Sequence, residues 1–210
     1  MPEREYDRFK TVLLFGAPGA GKGTQGKVLG QIPGFYHCSC GDVFWNIDIQ
    51  SDLGRAFYEY SSRGELVPDD ITVGMWAKAI LARAFLGDFK PRADLLILDG
   101  IPRTLEQAVL MDEHIEVIRV IHLTCDDREE MVRRLRRRAL KENRQDDADE
   151  SVIRRRWAVY ERETAPVLTH YAQELVSPID STGSPAQVLH NILDHVVPDQ
   201  EAHFRVAMPN

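Results

Sequence analysis

Residues 16–24 read Gly16-Ala17-Pro18-Gly19-Ala20-Gly21-Lys22-Gly23-Thr24, directly after a short apolar run at residues 11–15. Gly16, Gly21 and Lys22 fit the spacing G-x-x-x-x-G-K of a phosphate-binding loop. Glycines let the backbone present several N–H groups to a phosphate, and the helix that follows adds partial positive charge at its N-terminus. A glycine-rich turn that only joins a strand to a helix does not explain this fixed spacing. The loop therefore predicts binding of a nucleoside triphosphate, with the lysine on its terminal phosphates.

One position in this loop departs from the common pattern. Gly23 stands where most phosphate loops have Ser or Thr, and Thr24 follows one place later. The hydroxyl that usually ligates Mg²⁺ is therefore not assured at this position.

Composition sets broad limits on the class of protein. The chain has 210 residues, 43% of them apolar and 28% charged, with a net charge of −7, which is typical of one globular domain. The acidic balance argues against a nucleic-acid partner. No run approaches the ~20 apolar residues of a membrane span, and residues 1–10 are charged, unlike a signal peptide. A cytoplasmic location is therefore expected.

The chain has three cysteines, Cys38, Cys40 and Cys125. An odd and sparse set argues against a disulfide framework, and their spacing does not match a zinc knuckle. We expect thiols, with the first two buried at the end of a strand.

Short apolar runs alternate with helical patterns along the chain. The predicted strands are residues 11–15, 35–39, 95–98, 117–123 and 175–179. The predicted helices are residues 24–31, 53–63, 71–85, 105–111, 128–141, 152–175 and 185–197. This alternation indicates an α/β fold, a doubly wound parallel sheet of about five strands flanked by helices. The polar termini, residues 1–8 and 199–210, are expected to be loosely held.

Four motifs in order give the chain a resemblance to the adenylate kinase family of nucleoside monophosphate kinases over nearly its whole length. They are GAPGAGKGTQ at residues 16–25, DGIPRT with Gln107 at residues 99–107, RQDD at residues 144–147, and TAPV with Tyr171 at residues 164–171. The first motif is the family's own form of the phosphate loop and accounts for Gly23. The resemblance implies one kinase domain across residues 1–210, with an acceptor-binding insert near residues 42–86 and a short mobile lid near residues 138–155.

The resemblance also implies roles for individual residues. ATP would be held by Gly16, Gly19, Ala20, Gly21, Lys22, Gly23 and Thr24. AMP would be held by Cys40, Gly64, Val67, Gly100, Arg103 and Gln107. Arg103 would grip the acceptor phosphate and Gln107 an edge of adenine. Asp99 would hold Mg²⁺ through a bound water, so no direct protein ligand to the metal is expected.

Arginines are concentrated between residues 133 and 156. Most charge runs are solvated helix faces, and this one could be no more than that. The resemblance implies instead that several of them surround the transferred phosphoryl group, where positive charge and positioning carry the catalysis. The predicted catalytic arginines are Arg134, Arg138, Arg144 and Arg156. Arg155 stays an alternative to Arg156. The spacing in the family pattern favours Arg155 when it is counted forward from Asp147, and Arg156 when it is counted back from Tyr160.

The acceptor side departs from the family pattern S-T-G-D-x-x-R. Cys40 stands in place of the hydroxyl residue, and Trp45 replaces an arginine that would bind the acceptor phosphate. Losing a charge-assisted contact costs about 1.5–3 kcal/mol. UMP, CMP or another monophosphate is therefore an alternative acceptor, and a weakly active nucleotide-binding regulator is an alternative function. Packing of the Trp45 ring is favoured over stacking on a base.

The lid is too short for a metal site. Residues 139–143 are all that separate Arg138 from Arg144, so no structural zinc is expected. Residues 180–184 resemble the family's turn that contacts the adenine of ATP. The predicted cofactor is Mg²⁺ with ATP, the predicted partners are nucleotides alone, and a monomer is expected.

Overall fold

The phosphate loop follows the central strand of a five-stranded sheet. The computed structural model describes residues 8–45, 50–63, 65–142 and 149–204. The strands are β1 (Phe9–Gly16), β2 (Phe35–Ser39), β3 (Leu95–Asp99), β4 (Ile115–Thr124) and β5 (Val176–Asp180). They are all parallel and lie in the order β2-β3-β1-β4-β5. All five predicted strands are present, and the predicted α/β class is confirmed.

Eight α-helices connect the strands in the described ranges. They are α1 (Lys22–Leu29), α2 (Cys40–Trp45), α3 (Asp52–Ser62), α4 (Asp69–Leu86), α5 (Leu105–Met111), α6 (Arg128–Glu142), α7 (Glu150–Val159) and α8 (Pro185–His203). The short helix α2 was not predicted from the sequence.

Helices cover both faces of the sheet. Leu13 of β1 packs into one buried cluster together with Trp76 of α4, whereas its neighbour Leu14 packs into another with Ile192 of α8. Successive side chains of a strand point to opposite faces, so β1 is apolar on both. This explains why the strand reads as a continuous apolar run rather than an alternating one.

The prediction of one helix over residues 152–175 is wrong. Helix α7 ends at Val159, and a π-helical turn (Tyr160–Thr164) and a 3-10 segment (Ala165–His170) follow. Pro166 explains the break, because proline lacks the amide N–H and its ring clashes with the carbonyl four residues earlier. The change of helical geometry turns Tyr160 and Thr164 toward the cavity described below.

The expectation of a loosely held C-terminus is wrong for residues 199–204. Helix α8 continues to His203, six residues beyond the predicted end, and Phe204 is buried. Asp199 accepts two hydrogen bonds of 2.7 Å from Arg119 of β4. This bidentate ion pair fixes the end of the helix to the sheet. Residues 205–210 lie outside the described ranges.

The described ranges contain no helix long and apolar enough to cross a membrane. The three cysteines all fall within these ranges and are thiols; Cys38 and Cys40 are buried, as predicted.

Candidate active site

The carboxyl edge of the sheet borders a cavity of about 930 Å³. Ligands of open α/β folds bind at this edge, where the loops after the strands converge. Its lining combines the phosphate loop, the end of β3, the start of α5, one face of α6, α7 and the loop after β5. The cavity is large enough for two nucleotides side by side.

The phosphate loop needs glycine for steric reasons at two positions. Gly19 has a φ of 89°, and a Cβ atom there would stand 2.6 Å from the carbonyl oxygen of Met131. A Cβ atom at Gly16 would stand 2.6 Å from the carbonyl oxygen of Leu123. Both distances are shorter than any real contact, so the loop lies against the sheet and α6 only because these residues have no side chain. All seven predicted ATP-binding residues line the cavity.

Lys22 is folded back over its own loop. Its Nζ donates hydrogen bonds to the carbonyl oxygens of Gly16 at 2.6 Å and Ala17 at 3.2 Å. Burial lowers the pKa of Lys22 to about 8; nearby Asp99 opposes this shift, and Arg103 adds to it. An ammonium group that loses hydration among other cations is destabilised, and an incoming polyphosphate would restore its charge. The lysine is therefore positioned for an anion.

Asp99 ends strand β3 and faces the phosphate loop. Only 8% of it is exposed, and a Cβ atom at Gly23 would stand 3.5 Å from its Oδ2. The missing side chain at Gly23 leaves a gap between the carboxylate and the first turn of α1, where Thr24 also lines the cavity. Carboxylate and hydroxyl oxygens suit a hydrated Mg²⁺. Within the described ranges, no group of three or more His, Cys, Asp or Glu side chains is arranged to hold a metal directly.

Two hydrogen bonds hold Arg103, one at its side chain and one at its backbone. Its Nε donates to the carbonyl oxygen of Gly100 at 2.7 Å, and its own carbonyl accepts a hydrogen bond of 2.9 Å from Thr164 Oγ1. Gly100 has a φ of 84°, in the left-handed region that favours glycine. The guanidinium therefore sits beside the strand end with its remaining donors available to an anion.

Gln107 is the most buried of the predicted acceptor residues that the structure describes, with 1% of its surface exposed. Thr104 caps α5 by accepting the backbone N–H of Gln107 at 3.0 Å. The side-chain amide accepts from the Arg103 backbone N–H and donates to Asp69, both at 2.7 Å. The link to Asp69 could not be read from the sequence, because 38 residues separate the partners.

The remaining acceptor residues are placed as follows. Cys40 and Val67 line the cavity near Arg103, and burial raises the pKa of the Cys40 thiol to about 12. Cys40 is therefore a neutral, small apolar wall residue rather than a nucleophile. Gly64 and the side chain of Trp45 lie outside what the structure describes.

The arginines of α6 fall into two groups. Arg134, Arg137 and Arg138 line the cavity, whereas Arg133 and Arg136 are exposed and pair with glutamates. Arg134 and Arg138 are four residues apart and share one helix face, and Arg137 lies beside them with its side chain largely exposed. Arg137 was not among the predicted catalytic arginines, although its spacing from Arg134 was a usable signal.

Arg134 connects two sides of the donor region. It donates to Glu130 at 3.1 Å and to the carbonyl oxygen of Ser181 at 3.0 Å. The loop after β5 is thereby tied to α6. Gln25 of α1 also donates to the carbonyl of Pro185 at 3.0 Å, which holds the start of α8 against the phosphate loop.

Helix α7 presents only one of its two candidate arginines to the cavity. Arg156 lines it and is close enough to lower the pKa of Lys22, whereas Arg155 is exposed and donates to the carbonyl of Arg63 at 3.1 Å. Neighbouring residues on a helix point about 100° apart, and on α7 this difference turns Arg156 to the cavity and Arg155 away from it. Arg144 lies outside the described residues, as do Asp146 and Asp147.

A phosphate loop after the central strand of a parallel sheet, facing a set of arginines across one cavity, defines the class of P-loop phosphotransferases.

The protein-family model described as Adenylate kinase matches residues 14–176 of the chain. The adenylate kinase of Thermobifida fusca is 40% identical over 184 residues, covering 84% of this chain and 93% of that protein. Those of Flavobacterium psychrophilum and Flavobacterium johnsoniae are 37% and 34% identical over 76% and 88% of the chain, and 83% and 98% of their own lengths. The chain belongs to the adenylate kinase family, as its motifs predicted.

Proposed function

We propose that this chain transfers the γ-phosphoryl group of ATP to AMP and so forms two molecules of ADP. One observation carries the proposal: the phosphate loop with Lys22 and the acceptor residues Arg103 and Gln107 line the same cavity. Family membership supports the same reaction, since the curated relatives are adenylate kinases. No feature of the described cavity favours UMP or CMP as the acceptor, or a regulator without activity.

On the donor side, the backbone N–H groups of the loop and the N-terminus of α1 hold the β- and γ-phosphates. Lys22 turns from the carbonyls of Gly16 and Ala17 to the phosphates, which stabilise its charge better than neutral oxygens do. The adenine of ATP lies toward the loop of residues 181–184, which Arg134 fixes.

On the acceptor side, Arg103 binds the phosphate of AMP through a guanidinium already anchored at Gly100 and Thr164. A bidentate guanidinium suits this task because it matches two phosphate oxygens at once. Val67 and Cys40 pack against the nucleoside, and Gln107 reads the adenine base.

Transfer requires positive charge around the moving phosphoryl group rather than covalent help. The attacking oxygen of AMP is already anionic at neutral pH, so no general base is needed. Arg138 and Arg156 line the cavity and supply this charge, and the role expected for Arg144 from its motif is the same. Positioning and charge neutralisation of this kind carry most of the catalysis in phosphoryl transfer. Lid closure excludes water, which would otherwise accept the phosphoryl group.

Mg²⁺ fits the gap between Asp99 and the phosphate loop. Asp99 would hold the ion through bound water, and Thr24 would offer a hydroxyl one residue later than in most phosphate loops. When bound, the ion neutralises charge on the β- and γ-phosphates. Gly23 places no side chain against the Asp99 carboxylate.

The wider organisation completes the proposal. A single kinase domain carries an acceptor insert near residues 42–86 and a short lid near residues 138–155. It works as a monomer, since each arm opens to exchange one nucleotide. A cytoplasmic location agrees with the three thiols, which persist in a reducing compartment.

The test is steady-state ADP formation from Mg·ATP with AMP, UMP, CMP, GMP and dAMP in parallel. We expect AMP to give the highest kcat/KM, with two ADP formed for each AMP consumed. Faster turnover of UMP or CMP than of AMP would show that a pyrimidine nucleoside monophosphate is the acceptor instead. Binding of ATP without turnover of any monophosphate would instead support the alternative function, that of a nucleotide-binding regulator.

A further inference from the structure

The amide of Gln107 has one orientation because of its two partners. The backbone N–H of Arg103 can only donate, and it meets Oε1 at 2.7 Å. The carboxylate of Asp69 accepts, and it meets Nε2 at 2.7 Å. A rotation of the amide by 180° would set donor against donor and acceptor against acceptor, at an almost fully buried position. Both contacts would be lost at once.

The fixed amide still has hydrogen-bonding capacity for a ligand. A primary amide has two N–H donors and two acceptor lone pairs, and the protein uses one of each. The remaining pair can accept from the 6-amino group of adenine and donate to a ring nitrogen. A purine with an oxygen at position 6 presents an acceptor instead and meets the Oε1 lone pair unfavourably. Amide orientation therefore decides between 6-amino and 6-oxo purines.

Asp69 reaches the amide from a different part of the chain. It lies in the first turn of α4, in the segment between β2 and β3, whereas Gln107 lies in α5 on the core. Asp70, its neighbour in the same turn, is exposed. Both carboxylates interact favourably with the partial positive charge at the N-terminus of α4. Of the two, Asp69 is the one that is hydrogen-bonded to Gln107.

We propose that Asp69 is a positioning residue that sets acceptor specificity: it locks the Gln107 amide in the orientation that reads the 6-amino group of AMP. This inference rests on the proposed function, since it requires that Gln107 contacts the acceptor base. Asp69 itself does not touch the nucleotide. Its loss leaves the Arg103 N–H as the one remaining partner of the two, so the amide leaves this orientation more often and its contact with the 6-amino group weakens.

The experiment compares AMP with purine riboside 5′-monophosphate, which lacks only the 6-amino group. Wild type, Asp69→Ala, Asp69→Asn and the matched control Asp70→Ala are assayed for kcat and KM with both acceptors at saturating Mg·ATP. We expect Asp69→Ala to leave kcat nearly unchanged, to raise the KM for AMP about 5- to 20-fold, and to raise the KM for the analogue by a smaller factor, because the analogue keeps the ring nitrogen but lacks the 6-amino donor. Asp69→Asn keeps an acceptor oxygen and should stay within about threefold of wild type, as should Asp70→Ala.

The two acceptors separate a positioning role of Asp69 from a purely structural one. An equal rise in KM for AMP and the analogue with Asp69→Ala would show a role in placing α4 alone and would overturn the inference. An unchanged KM for AMP would also overturn it. If Asp69→Ala does not fold by its thermal melt, Asp69→Ser, whose hydroxyl is too short to replace the carboxylate contact, gives the same comparison. A Gln107→Ala variant that keeps the full preference for AMP over the analogue would remove the assigned role of Gln107 and, with it, this inference. Absence of AMP turnover in wild type would overturn the proposed function itself.

Discussion

The donor and acceptor sides of the cavity are built in different ways. The phosphate loop is one continuous segment, residues 16–24, whose shape depends on close backbone contacts at Gly16 and Gly19. The acceptor side combines Cys40 with Arg103 and Gln107 from a second segment, and side-chain hydrogen bonds hold Arg103 and Gln107 in place. Backbone recognition tolerates little change, whereas side-chain recognition can be altered one residue at a time.

This difference explains where the chain departs from its family pattern. The loop GAPGAGKGTQ matches fully, whereas the acceptor side has Cys40 and Trp45 at two pattern positions. A Cβ atom at Gly16 or Gly19 would collide with the sheet or with α6, so these two loop positions have no neutral substitutions. The acceptor side can lose one contact and keep the others.

The largest effect is expected on the donor side. Replacing Lys22 by Met removes the only lysine in the described part of the chain that contacts the phosphate loop's own carbonyls. We expect kcat/KM for ATP to fall about 10²- to 10³-fold, because charge on the transferred group is no longer compensated. Steady-state kinetics against the exposed control Lys90→Met, which should match wild type, measure the effect. A loss below about tenfold would contradict the role of Lys22.

The pair on α7 gives the next largest effect. Arg156→Ala should lower kcat about 10- to 100-fold, since Arg156 lines the cavity and the proposed function places its charge near the transferred group. Arg155→Ala should change kcat less than about threefold, because its guanidinium points to the exposed carbonyl of Arg63. The two variants differ by one position and share the same helix, so each controls for the other. The reverse order of effects would mean that α7 rotates on closure.

A smaller effect is expected from restoring the missing acceptor arginine. Trp45→Arg should lower the KM for AMP about tenfold and leave the KM for ATP unchanged, because the added cation meets only the acceptor phosphate. Kinetics with both substrates varied separate the two constants. Trp45→Phe is the control for loss of the indole without added charge. An equal decrease in KM for this control would show that the ring, and not the charge, limits AMP binding.

The smallest effect is a proton taken up with ATP. The pKa of Lys22 is lowered to about 8, mainly by burial, so the nucleotide-free lysine is charged at pH 6.5 and about half neutral at pH 8. Bound phosphates raise the pKa again, so ATP binding at pH 8 should take up about half a proton, and ATP affinity should fall as the pH rises further. Calorimetry in buffers of different ionisation enthalpy measures the uptake. Uptake that persists in Lys22→Met would assign the proton to another group.

Much of the fold follows from local sequence. Each strand is a short apolar run because it is buried on both faces, and the helix α5 begins at a capping threonine, Thr104. The helix predicted over residues 152–175 failed because the apolar pattern continues through Pro166, while the backbone geometry changes at Tyr160. Burial of one face can be read from periodicity, but the shift that a π-helical turn introduces in that face cannot.

The sequence by itself determined the phosphate loop, the strand carrying Asp99 and the motif containing Arg103 and Gln107, because each is a contiguous segment whose chemistry depends on near neighbours. Only the tertiary structure decided that Arg156 rather than Arg155 faces the cavity, that Arg137 joins it, and that Asp69 holds Gln107. These facts depend on helix rotation and on packing between segments far apart in the chain. A shift of one residue turns a helical side chain by about 100°, and no local pattern resolves that angle.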